Sequence, residues 1–468
     1  MKRLTTLLTA LALTVLSLSA QGYERYYTNL PIDMPVPELA QFPDNVVNIN
    51  DFGGVGDGLT LNTEAFQKAI AALEKMGGGH LVVPAGIYLS GLISLKDNID
   101  LHLERGAVLM ASPNREDHLK GGKTATFISA SKRTNIAITG EGVIDGNGAY
   151  WRPVKRDKVS DTEWNAFKAM GGTVTDGGKL WYPYDLKHYP NIASSPKEQE
   201  KMRTHLIRFT DCKRVYVAGV TLQNAPKFHL IPTRCSEVII DGLTVRCPWN
   251  AQNGDAIDLS SCRNVLVVNN IVDAGDDGIC MKAGAGESGV KYGPCENILI
   301  ENNTVFHAHG GFVIGSEFSG GMRNIVVRNN LFSGTDTGLR FKSAPGRGGK
   351  CENIYISNIV MTDIKDEAIV FECTYQNRPA GGSDEQSSEE LTFLPEFTDI
   401  HISNVICRGA ERAVVAKGVE GQRCIYGITL TGSTFFHNLD VPVVVDEWSE
   451  VEITDSRFAT FDTPVTND

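Results

Sequence analysis

Four short motifs follow one another along the chain: Asn253-Gly-Asp255-Ala-Ile-Asp258, Gly275-Asp276-Asp277-Gly278, His309-Gly310-Gly311 and Arg340-Phe341-Lys342. Carboxylates, a histidine and a cation pair are the parts needed to cut a glycosidic bond between acidic sugars. One carboxylic acid must protonate the leaving oxygen, another carboxylate must activate water, and an anionic sugar needs fixed positive charge. Crowded acids raise the pKa of at least one of their number, which helps it remain a proton donor. Each motif alone has a plainer reading. An Asp-Asp pair is commonly a solvated turn, Asp258 can bond its own backbone, a single histidine is commonly structural, and Lys282 fits an ordinary surface position. Order and spacing together carry the catalytic reading.

These residues can meet only if the chain repeats a unit along an axis. Taking the first apolar residue of each recurring strand gives Val215, Val238, Val265, Ile298, Ile325, Ile354, Ile400, Ile428 and Val451, with Ile136 as an earlier member. Four residues after five of these anchors stands an asparagine, at 269, 302, 329, 358 and 404. Asn tolerates left-handed backbone, so the column reads as one turn made once per coil. A second strand repeats without gaps at 255–260, 277–282, 310–315, 337–342, 367–372 and 412–417. Its third and fifth residues are apolar in every copy, which turns the fourth and sixth outward. Asp258, Lys282, Arg340 and Lys342 then share one outer face.

The predicted fold is therefore all-β, a single right-handed parallel β-helix. A short helix after Asn62 and Thr63, with the stripe Phe66, Ala69, Ile70 and Leu73, is expected to cap its open end before Gly77 to Gly79 stop it. Residues 147–205 and 374–398 break the period and read as two long loop insertions.

Composition removes other classes. At 468 residues, with 42% apolar and 21% charged residues, the chain is no disordered polymer, and a net charge of −12 excludes a global basic footprint for nucleic acid. An anionic substrate needs cations concentrated locally. Lys2 and Arg3, an apolar run from Leu4 to Leu18, then Ser19 and Ala20 have the layout of a secretory signal peptide over residues 1–20. No later run reaches the roughly 18 apolar residues of a membrane span. The expected location is outside the cytoplasm, periplasmic or secreted. Cys212, Cys235, Cys262, Cys295 and Cys351 each stand three residues before a strand anchor, which reads as a buried ladder of small side chains rather than a disulfide framework.

At the four motifs the chain resembles glycoside hydrolase family 28, the polygalacturonase family, whose pattern is Asn-Thr-Asp, Gly/Gln-Asp-Asp, Gly-His-Gly and Arg-Ile-Lys in this order. The resemblance runs from about Asp51-Phe-Gly-Gly to the last repeat. It implies Asp276 as general acid, Asp255 and Asp277 as the pair that holds and activates water, and His309 as the residue that tunes the acid. It also implies Arg340 and Lys342 as a clamp on the uronate carboxylate, with Tyr375 contacting sugar; Asp258 and Lys282, on the same outer face by the repeat, are further candidates for substrate binding. The substrate implied is a galacturonate-containing pectic polysaccharide, with no cofactor and no metal, cut by single displacement with inversion. Gly254, Ala256, Ala308 and Phe341 depart from the pattern, and Gly254 and Ala308 border the point of cleavage.

The rivals are a calcium-dependent polysaccharide lyase and a non-catalytic glycan-binding β-helix. The first would carry a further acidic ligand set, and the second has no reason to align acids, histidine and cations. Two further features point to exo action from the non-reducing end, against endo cleavage or attack on branched pectin. The first insertion carries Trp151, Trp164, Trp181, Tyr182, Tyr184 and Tyr189, an aromatic density suited to stacking on sugar and walling off one end of a groove, or else merely to packing over the coil. The stretch Gly315-Ser-Glu-Phe-Ser-Gly-Gly321 resembles the exo-acting bacterial branch of the family.

Overall fold

The computed structural model describes residues 22–185, 201–375 and 392–460. The signal-peptide segment lies outside them, and no helix among the described residues is long and apolar enough to cross a membrane. The strands coil into a right-handed parallel β-helix, the hand that parallel crossovers adopt. One wall is an eleven-stranded parallel sheet running from Ile93–Ser94 to Val443–Val445.

Sequence alignment and spatial register coincide. In the eleven-stranded wall Leu230, Ile257, Ile279, Phe312, Leu339, Ile369, Val414 and Val443 stack one above another. On the other wall Ile136, Val215, Val238, Val265, Ile298, Ile325, Ile354, Ile400, Ile428 and Val451 do the same. All but the partly buried Val443 and Val451 are buried in one continuous apolar core. Their alternation inward is what pins the register, because a one-residue slip would expose the whole set.

The turn column is as expected. Asn269, Asn302, Asn329, Asn358 and Asn404 hold φ of 53° to 59°. A second asparagine ladder lies beside it, buried: Asn270 bonds Asn303 at 2.8 Å and Asn303 bonds Asn330 at 3.0 Å. All ten cysteines are buried free thiols. Cys212, Cys235, Cys262 and Cys295 donate to backbone carbonyls, as Cys262 does to Pro232 at 3.3 Å.

The capping helix runs Thr63–Lys75 and buries Ala65, Phe66, Ala69, Ile70 and Leu73. Asn62 occupies its N-cap position but does not cap it with its side chain, which instead accepts from Val55 N and donates to the Thr60 carbonyl. Thr63 Oγ1 accepts from Gly91 N, tying the helix to the first coils.

The first insertion has a small fold of its own, a helix Asp161–Ala169 beside a three-stranded antiparallel sheet of Val154–Lys155, Thr173–Thr175 and Leu180–Tyr182. Most of its described rings do not present stacking faces to sugar. Trp151, Trp164, Trp181 and Tyr182 are buried, and Trp181 packs on Phe167 while Trp151 packs on His118. A segment with its own sheet needs its own core, and these aromatics are that core. Tyr189 lies outside the described residues. After the second insertion, where residues 376–391 also lie outside them, the coil resumes with the strand Glu396–Arg408.

Candidate active site

Parallel register carries the four motifs onto neighbouring coils. Asp255, Asp277 and Gly310 occupy one row, since Ile257 pairs with Ile279 and Asp277 with Gly310. One residue upstream, at the bend leading into each strand, a second row holds Asp276, His309 and Asp336, with His309 N donating to the Asp276 carbonyl at 2.8 Å. Adjacent members are about 4.8 Å apart along the coil axis. Small residues allow this closeness: a Cβ on Gly275 would meet the Ala251 and Pro248 carbonyls at 2.6 Å. At Gly254 a Cβ would sit 3.0 Å from the Ala251 carbonyl and 3.2 Å from Cys247 Sγ, so the threonine of the family pattern would crowd this turn.

The cations divide among the acids. Lys282 Nζ lies 2.5 Å from Asp258 Oδ1 and 3.3 Å from Asp255 Oδ2. Lys342 Nζ bonds both oxygens of Asp277, at 3.0 and 2.8 Å, and Arg340 Nη1 stands 3.7 Å from Asp277 Oδ1. His309 Nδ1 is 3.0 Å from Asp276 Oδ1, while its Nε2 is 3.8 Å from Asp336 Oδ2. Tyr375 places its ring under Arg340, Lys342 and Arg347, at 5.4, 5.2 and 5.6 Å. Every residue singled out from sequence is therefore in or beside one cluster.

Crowding does raise a carboxyl, but not that of Asp276. Burial, then Asp258 and Asp276, push Asp255 well above the ordinary carboxylate range. Asp258 is also raised, by burial that Lys282 only partly offsets. Two buried carboxyls share one ammonium, and Asp255 Oδ1 and Asp258 Oδ2 have no hydrogen-bond partner among the described residues. At Asp276 burial acts upward too, yet the neighbouring His309 ring and the Lys342 and Lys282 ammoniums outweigh it and hold the group low. At Asp277 burial is outweighed by Lys342 and then Arg340. A proton shared across the 3.0 Å contact between His309 Nδ1 and Asp276 Oδ1 would make Asp276 an acid.

Asp276, Asp277 and His309 offer ligand atoms within 4.8 Å of one another. That spacing is compatible with a cation, but Lys342 and Arg340 already bring positive charge to Asp277, and His309 Nδ1 already faces Asp276. It also sets an oxygen of Asp276 closer to one of Asp277 than the roughly 6.5 to 9.5 Å expected of an inverting pair with water between. The reason is covalent, since the two acids are consecutive residues at one strand entrance.

Sequence reasoning missed three supports. Asp336 flanks His309 on the side away from Asp276; the repeat alignment extended one residue upstream would have found it. Arg203 bonds the Gln252 carbonyl and Asn253 Oδ1, both at 2.7 Å, and so fixes the turn before Asp255. Buried His229 bonds the Asp255 carbonyl through Nδ1 at 2.9 Å. Neither of these two has a local sequence signal, because their partners lie on other coils.

His309→Ala tests the shared proton. Imidazole binds a proton more tightly than a carboxyl, so the variant should lose turnover by about 10² or more and its alkaline limb should move to lower pH. An unchanged pH–rate profile would show that His309 only packs.

A family model described as glycosyl hydrolases family 28 matches residues 154–434. The chain is 31% identical over 347 residues to an exo-poly-α-D-galacturonosidase of Dickeya chrysanthemi, covering 70% of this chain and 57% of that protein's length. Among solved structures, a hyperthermoactive exopolygalacturonase from Thermotoga maritima superposes with a TM-score of 0.75 at 28% identity, covering 94% of this chain and 96% of that one. A family 28 exopolygalacturonase from Yersinia enterocolitica superposes with a TM-score of 0.72 at 26% identity, covering 90% and 77%.

Proposed function

Since the chain belongs to glycosyl hydrolases family 28, we propose that it hydrolyses α-glycosidic bonds of galacturonic acid in pectic polysaccharide, by single displacement and from the non-reducing end. The observation that carries this reading is the unbroken register that sets three carboxylates, a histidine and two cations on one face of neighbouring coils.

In this mechanism Arg340, backed by Lys342 and the Tyr375 ring, holds a uronate carboxylate. Asp276 gives the leaving oxygen a proton, replenished from His309. Asp255 takes one from the attacking water, and its raised pKa makes it a stronger base once ionised. Asp277 helps to place that water. With Asp255 activating water instead of attacking the sugar, the displacement is single. Inversion is accordingly the outcome to expect.

Exo action is supported by the body of the first insertion rather than by its rings. Arg115, on the coil side, stacks on Trp151 and Tyr184 and donates to the Met202 carbonyl at 2.7 Å. The insertion therefore packs against the segment that carries Arg115, on the side of the earlier coils. The Dickeya, Thermotoga and Yersinia proteins are described as exo-acting, which favours the same reading.

Paired digests of polygalacturonate, with and without a chelator, test all three parts. Viscosity should fall slowly relative to reducing ends, with a short terminal product from the start. The new reducing end should appear by NMR with inverted configuration, and no unsaturated uronate should absorb in the ultraviolet. A rapid viscosity drop with mixed oligomers would defeat exo action, retention would defeat single displacement, and activity lost on chelation with an unsaturated product would replace the hydrolase by a lyase.

A further inference from the structure

Lys282 ends the strand Asp277–Lys282 and lies level with Ser260 on the preceding coil, whereas Asp258 lies level with Cys280. The lysine side chain therefore runs back along the wall to reach the acids. The Phe228 ring lies 4.9 Å from its Nζ and bounds that path on one side. The reach ends unequally, with Nζ 2.5 Å from Asp258 Oδ1 and 3.3 Å from Asp255 Oδ2. One ammonium serves two carboxyls, and the nearer is Asp258.

From sequence Asp258 is a candidate substrate contact, but its side chain is 1% exposed. A group so enclosed acts through a neighbour. Asp255 stands in the row that also holds Asp277, at the strand entrance where water must be activated, and its Oδ1 has no hydrogen-bond partner among the described residues. Its Oδ2 is the oxygen turned to Lys282. The charged and titratable groups facing Asp255 are Asp258 on its own strand, Asp276, Asp277 and Lys282 on the next coil, and the Cys247 thiol on the turn before it. Those facing Asp258 are Lys282, Asp277 and Cys280, with Arg208 two strands back in the wall. After burial, the Asp258 charge does most to raise the Asp255 carboxyl, and Lys282 works against it. Where the ammonium rests thus decides how strong a base Asp255 is.

We propose that Asp258 is a positioning residue: it anchors the Lys282 ammonium away from Asp255, so that Asp255 Oδ1 stays open to the attacking water and receives its proton. The inference rests on the galacturonan reading above and deepens it, since it assigns Asp258 and Lys282 to the base rather than to the sugar.

The pH dependence of kcat/KM on tetragalacturonate with Asp258→Asn and Lys282→Met tests it. Asp258→Asn removes a like charge beside Asp255 and releases Lys282 to it, and both effects favour the ionised carboxylate. Its acid limb should move to lower pH, with plateau kcat about tenfold lower because a more acidic carboxyl is a weaker base. KM should stay within about threefold, since Asp258 is shut away from sugar. Lys282→Met removes the cation and should move the same limb to higher pH. An ion pair that only held the fold together would lower the unfolding midpoint in both variants and leave the limb in place. Titration of the substrate is common to all three proteins and cancels in the comparison. An unmoved or raised limb in Asp258→Asn would overturn the role of Asp258 and leave the galacturonan reading intact, as would a KM rise of about tenfold without a limb shift. That variant decides alone if Lys282→Met does not fold. A wild type inactive on tetragalacturonate and on polygalacturonate would overturn that reading and the proposal with it.

Discussion

Asp276→Asn and Asp255→Asn should each lower turnover by a factor of roughly 10² to 10⁴, yet change stability in opposite directions. Asp255 has its carboxyl held above the ordinary range in the folded chain. A raised group contributes stability that is complete below its unfolded pKa, about 4, and is lost as pH rises through the folded value. As pH rises above about 4 the wild type progressively loses that contribution, and an uncharged Asn avoids the loss and leaves Lys282 to Asp258 alone. Asp255→Asn should then resist heat or denaturant better than wild type at pH 7, by about 1 to 3 kcal/mol, the usual cost of a buried polar group left without a partner. The gain should shrink toward pH 4. Asp276 is held low, so its contribution is present above the unfolded pKa and is lost as pH falls. Asp276→Asn should accordingly be less stable at pH 7. Unfolding midpoints at pH 4 and pH 7, measured beside initial rates, decide the matter. Near-normal activity in Asp276→Asn would remove it as the acid, and a destabilised Asp255→Asn would show that its carboxylate is better compensated than its contacts indicate.

Lys342→Ala should be the most damaging single change at the site. From sequence, Lys342 and Arg340 are an equivalent clamp whose removal mainly weakens substrate binding. The structure separates them. Lys342 is 5% exposed and gives both of its short contacts to Asp277. Arg340 is partly exposed and more distant from that carboxylate, with Nη1 at 3.3 Å from the His309 carbonyl. Deleting one partner of a buried pair leaves an uncompensated charge and costs about 3 to 5 kcal/mol. Lys342→Ala should therefore lose stability and kcat together, whereas Arg340→Ala should raise KM in a protein of near-normal stability. Combining Lys342→Ala with the second change Asp277→Asn should recover most of the stability and none of the activity. Equal KM effects with unchanged stability in both single variants would return them to equivalent roles.

The coil and its active face were legible in the sequence for a physical reason. In a solenoid each strand pairs with its counterpart one repeat away, so aligning repeats is the same act as assigning register. The inward apolar residues, such as Ile257, Ile279, Phe312 and Leu339, mark that register in every copy. Residue type and repeat position thus sufficed to bring Asp255, Asp277, His309, Arg340 and Lys342 to one surface. Charge partition was not legible, because it depends on which ammonium a carboxylate faces and how deeply both are buried. That decided that Lys282 is shared by two acids, that Lys342 belongs to Asp277, and that the raised carboxyls are Asp255 and Asp258 rather than Asp276. Only the tertiary structure turned the aromatic residues of the first insertion into a core instead of a platform for sugar, since a non-repeating segment carries no register to read.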